Sequence, residues 1–153
     1  MRRYLRGEIP FDLRKPDGII EKEILRQLSQ YPHKIYRHNL ILGEISNVDL
    51  EKVTSLFLDK EKLTDLKGLP KLSQLTLLRL DGNQLTDVKD LPKLPQLKDL
   101  DLNSNKLTEV KGLEKLTQLT KLSLEYNSDL TKAQIAELEK AFPKCKIYSN
   151  PSK

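Results

Sequence analysis

The chain has 153 residues, 27 Lys and Arg against 22 Asp and Glu for a net charge of +5, and 37% apolar residues. That length predicts a single domain able to bury a sizeable core, and the composition is too apolar for disorder. The lone cysteine, Cys145, excludes an intramolecular disulfide framework and a multi-cysteine zinc site, and no apolar run reaches the roughly 18 residues of a membrane span.

Residues 1–16 hold two prolines and four arginines and read as an extended or mobile arm. The start, Met1-Arg2-Arg3-Tyr4-Leu5-Arg6, has the basic opening of a signal peptide without the apolar stretch after it. The expected location is cytoplasmic, or secreted if a leader has been removed. Residues 17–52 read as an N-terminal cap or a degenerate repeat. Asp17 is a candidate N-cap, Ile20, Ile24, Leu25 and Leu28 form one helical stripe, and Pro32 ends it. Lys34 to Ile45 alternates loosely and could supply one or two strands, with Asn39 and Ile41 in register with the columns that begin at residue 53.

Residues 53–127 repeat with a step of 22. Val53, Leu75, Leu97 and Leu119 are in phase, as are Leu56, Leu78, Leu100 and Leu122, and Leu58, Leu80, Leu102 and Leu124. Four further apolar columns continue through Leu63, Leu66, Leu69 and Leu72, and Asn83, Asn105 and Asn127 form a polar column with Glu61 in the first slot. Seven apolar columns in phase predict a solenoid of four repeats, the last truncated. The L-x-L step is the period of a strand with one apolar face. The later spacings of three suit a tight, partly 3₁₀ return, and prolines such as Pro92 and Pro95 disfavour a long helix there. Stacked coils place the strands in a parallel sheet. Each Asn amide falls where the chain leaves a strand and can pair backbone groups of neighbouring coils. An ionised Glu61 can accept but not donate, so the first coil should be looser there or its carboxylate exposed.

Residues 128–153 read as a C-terminal cap, which a solenoid needs over its last coil. Thr131-Lys132-Ala133-Gln134 is a capping box, Ile135, Leu138 and Phe142 follow at helical spacing, and Pro143 stops the helix. Cys145, Ile147 and Tyr148 suggest a last short strand.

The run Leu97-Lys98-Asp99-Leu100-Asp101-Leu102-Asn103-Ser104-Asn105-Lys106-Leu107 resembles the leucine-rich repeat pattern, in the 22-residue class of bacterial internalins and of a regulatory subunit of protein phosphatase 1. The resemblance implies an α/β fold: a leucine-rich repeat solenoid with a curved parallel sheet on the concave side, short 3₁₀ or irregular convex returns, and helical caps. It also implies protein binding without naming the partner.

Between the leucines of each strand, side chains project from the concave face. These are Ser55, Leu77, Asp99 and Lys121; Phe57, Arg79, Asp101 and Ser123; and Asp59, Asp81, Asn103 and Glu125, with Tyr126 beside the end. Five carboxylates (Asp59, Asp81, Asp99, Asp101, Glu125) face two cations (Arg79, Lys121), whereas the remainder of residues 53–127 is net basic. Large apolar groups, Phe57 and Leu77, beside Arg79 and the acids have the makeup of a protein-binding patch. The candidate partner-binding residues are therefore Phe57, Asp59, Leu77, Arg79, Asp81, Asp99, Asp101, Lys121, Glu125 and Tyr126.

Catalytic constellations are missing. His33 and His38 lack an acidic or cysteine partner at ligand spacing, no glycine-rich phosphate cradle occurs, and Cys145 between Lys144 and Lys146 reads as a small packing residue. Asp99 and Asp101 alone make a poor cation site. The sequence points to a non-enzymatic protein-binding module, without cofactor or metal, monomeric and not membrane-bound. Two alternatives stay open: nucleic-acid binding through the convex lysines and N-terminal arginines, against which the basic excess is spread evenly along the chain, and a structural module of a larger protein.

Overall fold

The computed structural model describes residues 20, 23, 24, 26 and 50–151. Five three-residue strands form one parallel sheet in chain order: β1 (Ser55–Phe57), β2 (Leu77–Arg79), β3 (Asp99–Asp101), β4 (Lys121–Ser123) and β5 (Lys146–Tyr148). The register pairs Leu56 with Leu78, Leu78 with Leu100, and Leu100 with Leu122, so one 22-residue step of sequence is one strand of the sheet. Because a strand alternates its faces, the middle residue of each of β1–β4 is buried, along with the leucine just after each of them.

On the return side, Leu66, Leu69, Leu72 and Leu75 and their equivalents one and two coils later complete a continuous aliphatic core. The returns are a succession of tight turns, such as Leu69 N–H to the Leu66 carbonyl and Leu75 N–H to the Leu72 carbonyl. Among the described residues, the third coil alone turns its return into a 3₁₀ turn, Leu113–Lys115, entered through Gly112. Gly112 has φ of 108°, and a Cβ there would sit 3.0 Å from the Val88 carbonyl oxygen of the coil beneath, so only glycine fits.

The coil leaves each strand through a left-handed residue. Lys60, Gly82, Ser104 and Tyr126, again 22 apart, have φ of 60°, 69°, 53° and 60°. The Asn column comes directly after them and works as a set of staples. Asn105 Nδ2 donates to the Leu80 carbonyl of the previous coil at 2.9 Å and to Leu102 of its own at 3.1 Å, while its Oδ1 accepts from Leu85 N–H at 3.1 Å. Asn83 and Asn127 repeat the arrangement one coil down and one coil up. All three are buried, and among the described residues no buried side-chain nitrogen or oxygen is left unpaired. Where the first coil has Glu61, the side chain is exposed and the next residue, Lys62, takes a second left-handed conformation, φ 60°, that the Asn coils do not have.

A helix, α1 (Lys132–Ala141), replaces the irregular return before β5. Its N-terminus carries the expected capping box: Thr131 Oγ1 accepts from Gln134 N–H, and Gln134 Oε1 accepts from Thr131 N–H at 2.9 Å. Gln134 Nε2 also donates to the Thr108 carbonyl at 3.0 Å, tying the helix to the third coil. Ile135, Leu138 and Phe142 cover the core.

Of the expected N-terminal cap, residues 20, 23, 24, 26 and 50–52 are described. Ile20, Glu23, Ile24, Arg26 and Leu50 are helical, Glu51 and Lys52 form a turn, and Ile20, Ile24 and Leu50 are buried in the same core as the leucines. Arg26 pairs with Glu23 at 2.6 Å and lies within the field of Glu61. The arm at 1–16, the Asp17 cap, Leu25 and Leu28, Pro32, the strands expected in 34–45 and both histidines lie outside the described residues.

Candidate functional site

The parallel register carries the projecting residues into rows across the open face of the sheet. Ser55, Leu77, Asp99 and Lys121 are successive partners, and so are Phe57, Arg79, Asp101 and Ser123. The third column is held by backbone. Asp59 Oδ1 accepts the Asp81 N–H at 3.1 Å, and Asn103 Oδ1 accepts the Glu125 N–H at 2.7 Å. Asp101 Oδ1 accepts the Asn103 N–H at 3.0 Å, fixing the carboxylate beside that column.

Two side chains differ from expectation. Phe57 is 42% exposed and Tyr126 70%, but Leu77 is half-buried rather than open to water. Ser123 is buried at 6%. It is a short side chain flanked by Asp101 on one side and, through β5, by Tyr148 on the other. Cys145 packs against the core as expected, and burial, then Asp99, pushes its thiol up from the ordinary value despite the flanking Lys144 and Lys146.

β5 adds residues to the face that the repeat count overlooks. Lys146 pairs in register with Lys121, and Tyr148 with Ser123. Asn150 Oδ1 accepts the Tyr126 N–H at 2.6 Å, continuing the third column. The step from β4 to β5 is longer than the repeat because α1 intervenes, so a 22-residue column misses them. The alternation of Cys145 and Ile147, both packed on the core, is the signal that could have exposed Lys146 and Tyr148.

Charge is unevenly placed. Lys121 Nζ pairs with Asp99 Oδ2 at 3.2 Å. Lys146 Nζ lies 5.0 Å over the Tyr148 ring. Burial pushes the Asp59 carboxyl above the ordinary aspartate value; Asp101 and Asp81 add to this, against the Asp81 N–H and Arg79. Three carboxylates thus crowd one guanidinium at the carboxyl ends of β1–β3. Among the described residues no group of three or more His, Cys, Asp or Glu is arranged to hold a metal ion, and no helix is long and apolar enough to cross a membrane.

The family described as Leucine Rich repeats (2 copies) matches residues 73–114 and again 95–140. Residues 73–140 thus match leucine-rich repeats, and the fold is a leucine-rich repeat solenoid. An internalin (inlF) of Listeria monocytogenes shares the fold with a TM-score of 0.67 and 27% identity, over 87% of this chain and 36% of that one. An internalin C2 (inlC2) of the same species gives a TM-score of 0.68 at 19% identity, over 90% of this chain and 57% of the other. The chain thus spans between about a third and three-fifths of these internalin structures' length. A search of curated proteins gave no match. The open sheet face is the concave wall of a curved leucine-rich repeat solenoid, and repeats of this family commonly serve as protein-interaction modules.

Proposed function

We propose that this protein is a non-catalytic binding module whose concave sheet face docks a protein partner. The observation that carries this reading is the composition of that face. An exposed phenylalanine, Phe57, stands in one row with Arg79 and Asp101, on a face where Asp59, Asp101 and Asn103 are held by backbone N–H groups. Aromatic and arginine anchors within a charged surround are the groups that dominate binding energy at protein interfaces, and a pre-set face loses less entropy on docking.

Tyr126 supports the same reading. It is 70% exposed at the rim of the face and holds a left-handed backbone, where glycine would cost less. A strained aromatic kept in the open is a cost the fold itself does not require.

The convex side offers less to an anionic polymer. Its lysine columns, Lys67, Lys89 and Lys111 and then Lys71, Lys93 and Lys115, run beside Asp65, Asp87 and Glu109, and Asp87 pairs with Lys89 at 3.0 Å. The test is affinity capture from the source organism with the parent chain and a folded Phe57→Ala, Asp99→Lys, Asp101→Lys variant. A protein held by the parent and lost by the variant is the expected result. A partner retained by both would remove the site from this face, and recovery of nucleic acid by both would replace the reading altogether.

A further inference from the structure

The concave face has a direction. Phe57 lies at the β1 edge of the described sheet, the carboxylates Asp59, Asp81 and Asp101 lie across β1–β3, and the cations Lys121 and Lys146 lie on β4 and β5, with Glu125 off in the third column past the end of β4. Asp99 is taken up by Lys121 at 3.2 Å, which leaves the crowded trio around Arg79 as the acidic end. Lys146, outermost and stacked over Tyr148, is the basic end.

Resting on the reading of this face as the binding site, we propose that it selects an extended partner segment by charge order: an apolar anchor over Phe57, then a lysine or arginine over Asp101 and its neighbours, then a carboxylate over Lys146. Adjacent strands lie about 4.8 Å apart, so β1 to β3 and β3 to β5 are each about 10 Å. A polyproline II segment advances about 3.1 Å per residue and turns every three residues. Its positions i, i+3 and i+6 therefore lie on one side at about 9 Å steps and match anchor, cation and anion. The order holds whichever way the segment runs, because the anchor end is set by Phe57.

The crowding at Asp59 is consistent with this order. Burial and like charge disfavour its ionised form, and the attraction of an arriving cation offsets this.

The experiment uses the full chain at low salt, where rim charges are least screened, and three capped peptides of one length: Phe-Pro-Pro-Lys-Pro-Pro-Glu, Phe-Pro-Pro-Glu-Pro-Pro-Lys and Phe-Pro-Pro-Lys-Pro-Pro-Lys. Binding is followed by NMR shifts, which also locate the site. The first peptide is expected to bind at least about threefold tighter than either other, as two exposed charge pairs allow, with shifts at Phe57, Asp101 and Lys146. A Lys146→Glu variant should transfer the preference to the third peptide. Equal binding of all three, binding of none, or a preference that Lys146→Glu leaves in place would overturn the charge order and leave the concave site standing on the capture result. Selective binding with shifts confined to the convex lysines would overturn both.

Discussion

Asn105 shows how much of this fold rests on single polar side chains. One buried amide serves three carbonyls and the Leu85 N–H across two coils, sharing the Leu80 carbonyl with Asn83 and the Leu102 carbonyl with Asn127. Asn105→Ala is expected to lower stability by about 1–3 kcal/mol, read as a shift of the urea midpoint at unchanged slope; an unchanged midpoint would refute the staple role. The column was legible in the sequence because each amide recurs every 22 residues, and so was the exposure of Glu61. The second left-handed residue at Lys62 was not, because the backbone's answer to a missing donor leaves no trace in residue type. At Tyr126, replacing a left-handed tyrosine by glycine removes a strain of order 1 kcal/mol, part of which returns as unfolded-chain entropy. Tyr126→Gly should therefore leave the melting temperature unchanged or raise it while weakening partner binding; a clear loss of stability would contradict the backbone assignment.

Asp59 gives a pH dependence with a definite sign. Its folded carboxyl titrates above the ordinary aspartate value, so the folded chain binds the proton more tightly than the unfolded one. The ionised group then opposes folding: as pH rises from about 4 through the raised value, stability contributed by this residue falls. Asp59→Asn keeps an oxygen for the Asp81 N–H and removes the titration. Denaturation midpoints compared between acidic and neutral pH should show a smaller decline for the variant than for the parent. An identical decline would mean that Asp59 is not the group responsible.

At the scale of elements, the repeat strands were legible because a period of two inside a period of 22 leaves little choice of face. The face at β4 and β5 was harder. Ser123 reads as projecting, yet β5 flanks it and buries it; Cys145, Ile147 and Tyr148 read as a last short strand of the cap, yet the register makes Lys146 and Tyr148 part of the face. Both misreadings have one cause, which is that α1 lengthens the step and a repeat count stops where the repeat does. The helix itself was plain from Thr131 and Gln134, whose side chains close the capping box. Thr131→Ala should cost about 1 kcal/mol, measured by thermal unfolding. Deleting residues 131–153 removes β5 and the cover over Leu130, so the shortened chain should self-associate in light scattering. A truncated chain that stays monomeric and equally stable would show that this segment is not a cap.

Across the described residues the two sides differ in makeup. The returns carry neighbouring acids and lysines, with Asp87 paired to Lys89, the sheet carries the exposed Phe57 and an acidic patch, and the aliphatic core lies between them. The sequence made this division readable through its columns. It could not name a partner, since the fold prescribes a surface and leaves its chemistry to the positions between the leucines. Everything proposed for function turns on contact with a partner at the concave face, and site-specific photocrosslinking is its sharpest test. A benzophenone amino acid is placed in turn at Phe57 and Tyr126 on one side and at Lys93 and Lys115 on the other, and each folded protein is irradiated in cells. A concave site predicts one discrete adduct shared by the Phe57 and Tyr126 positions and none from Lys93 or Lys115. A discrete adduct from the lysine positions alone would contradict it.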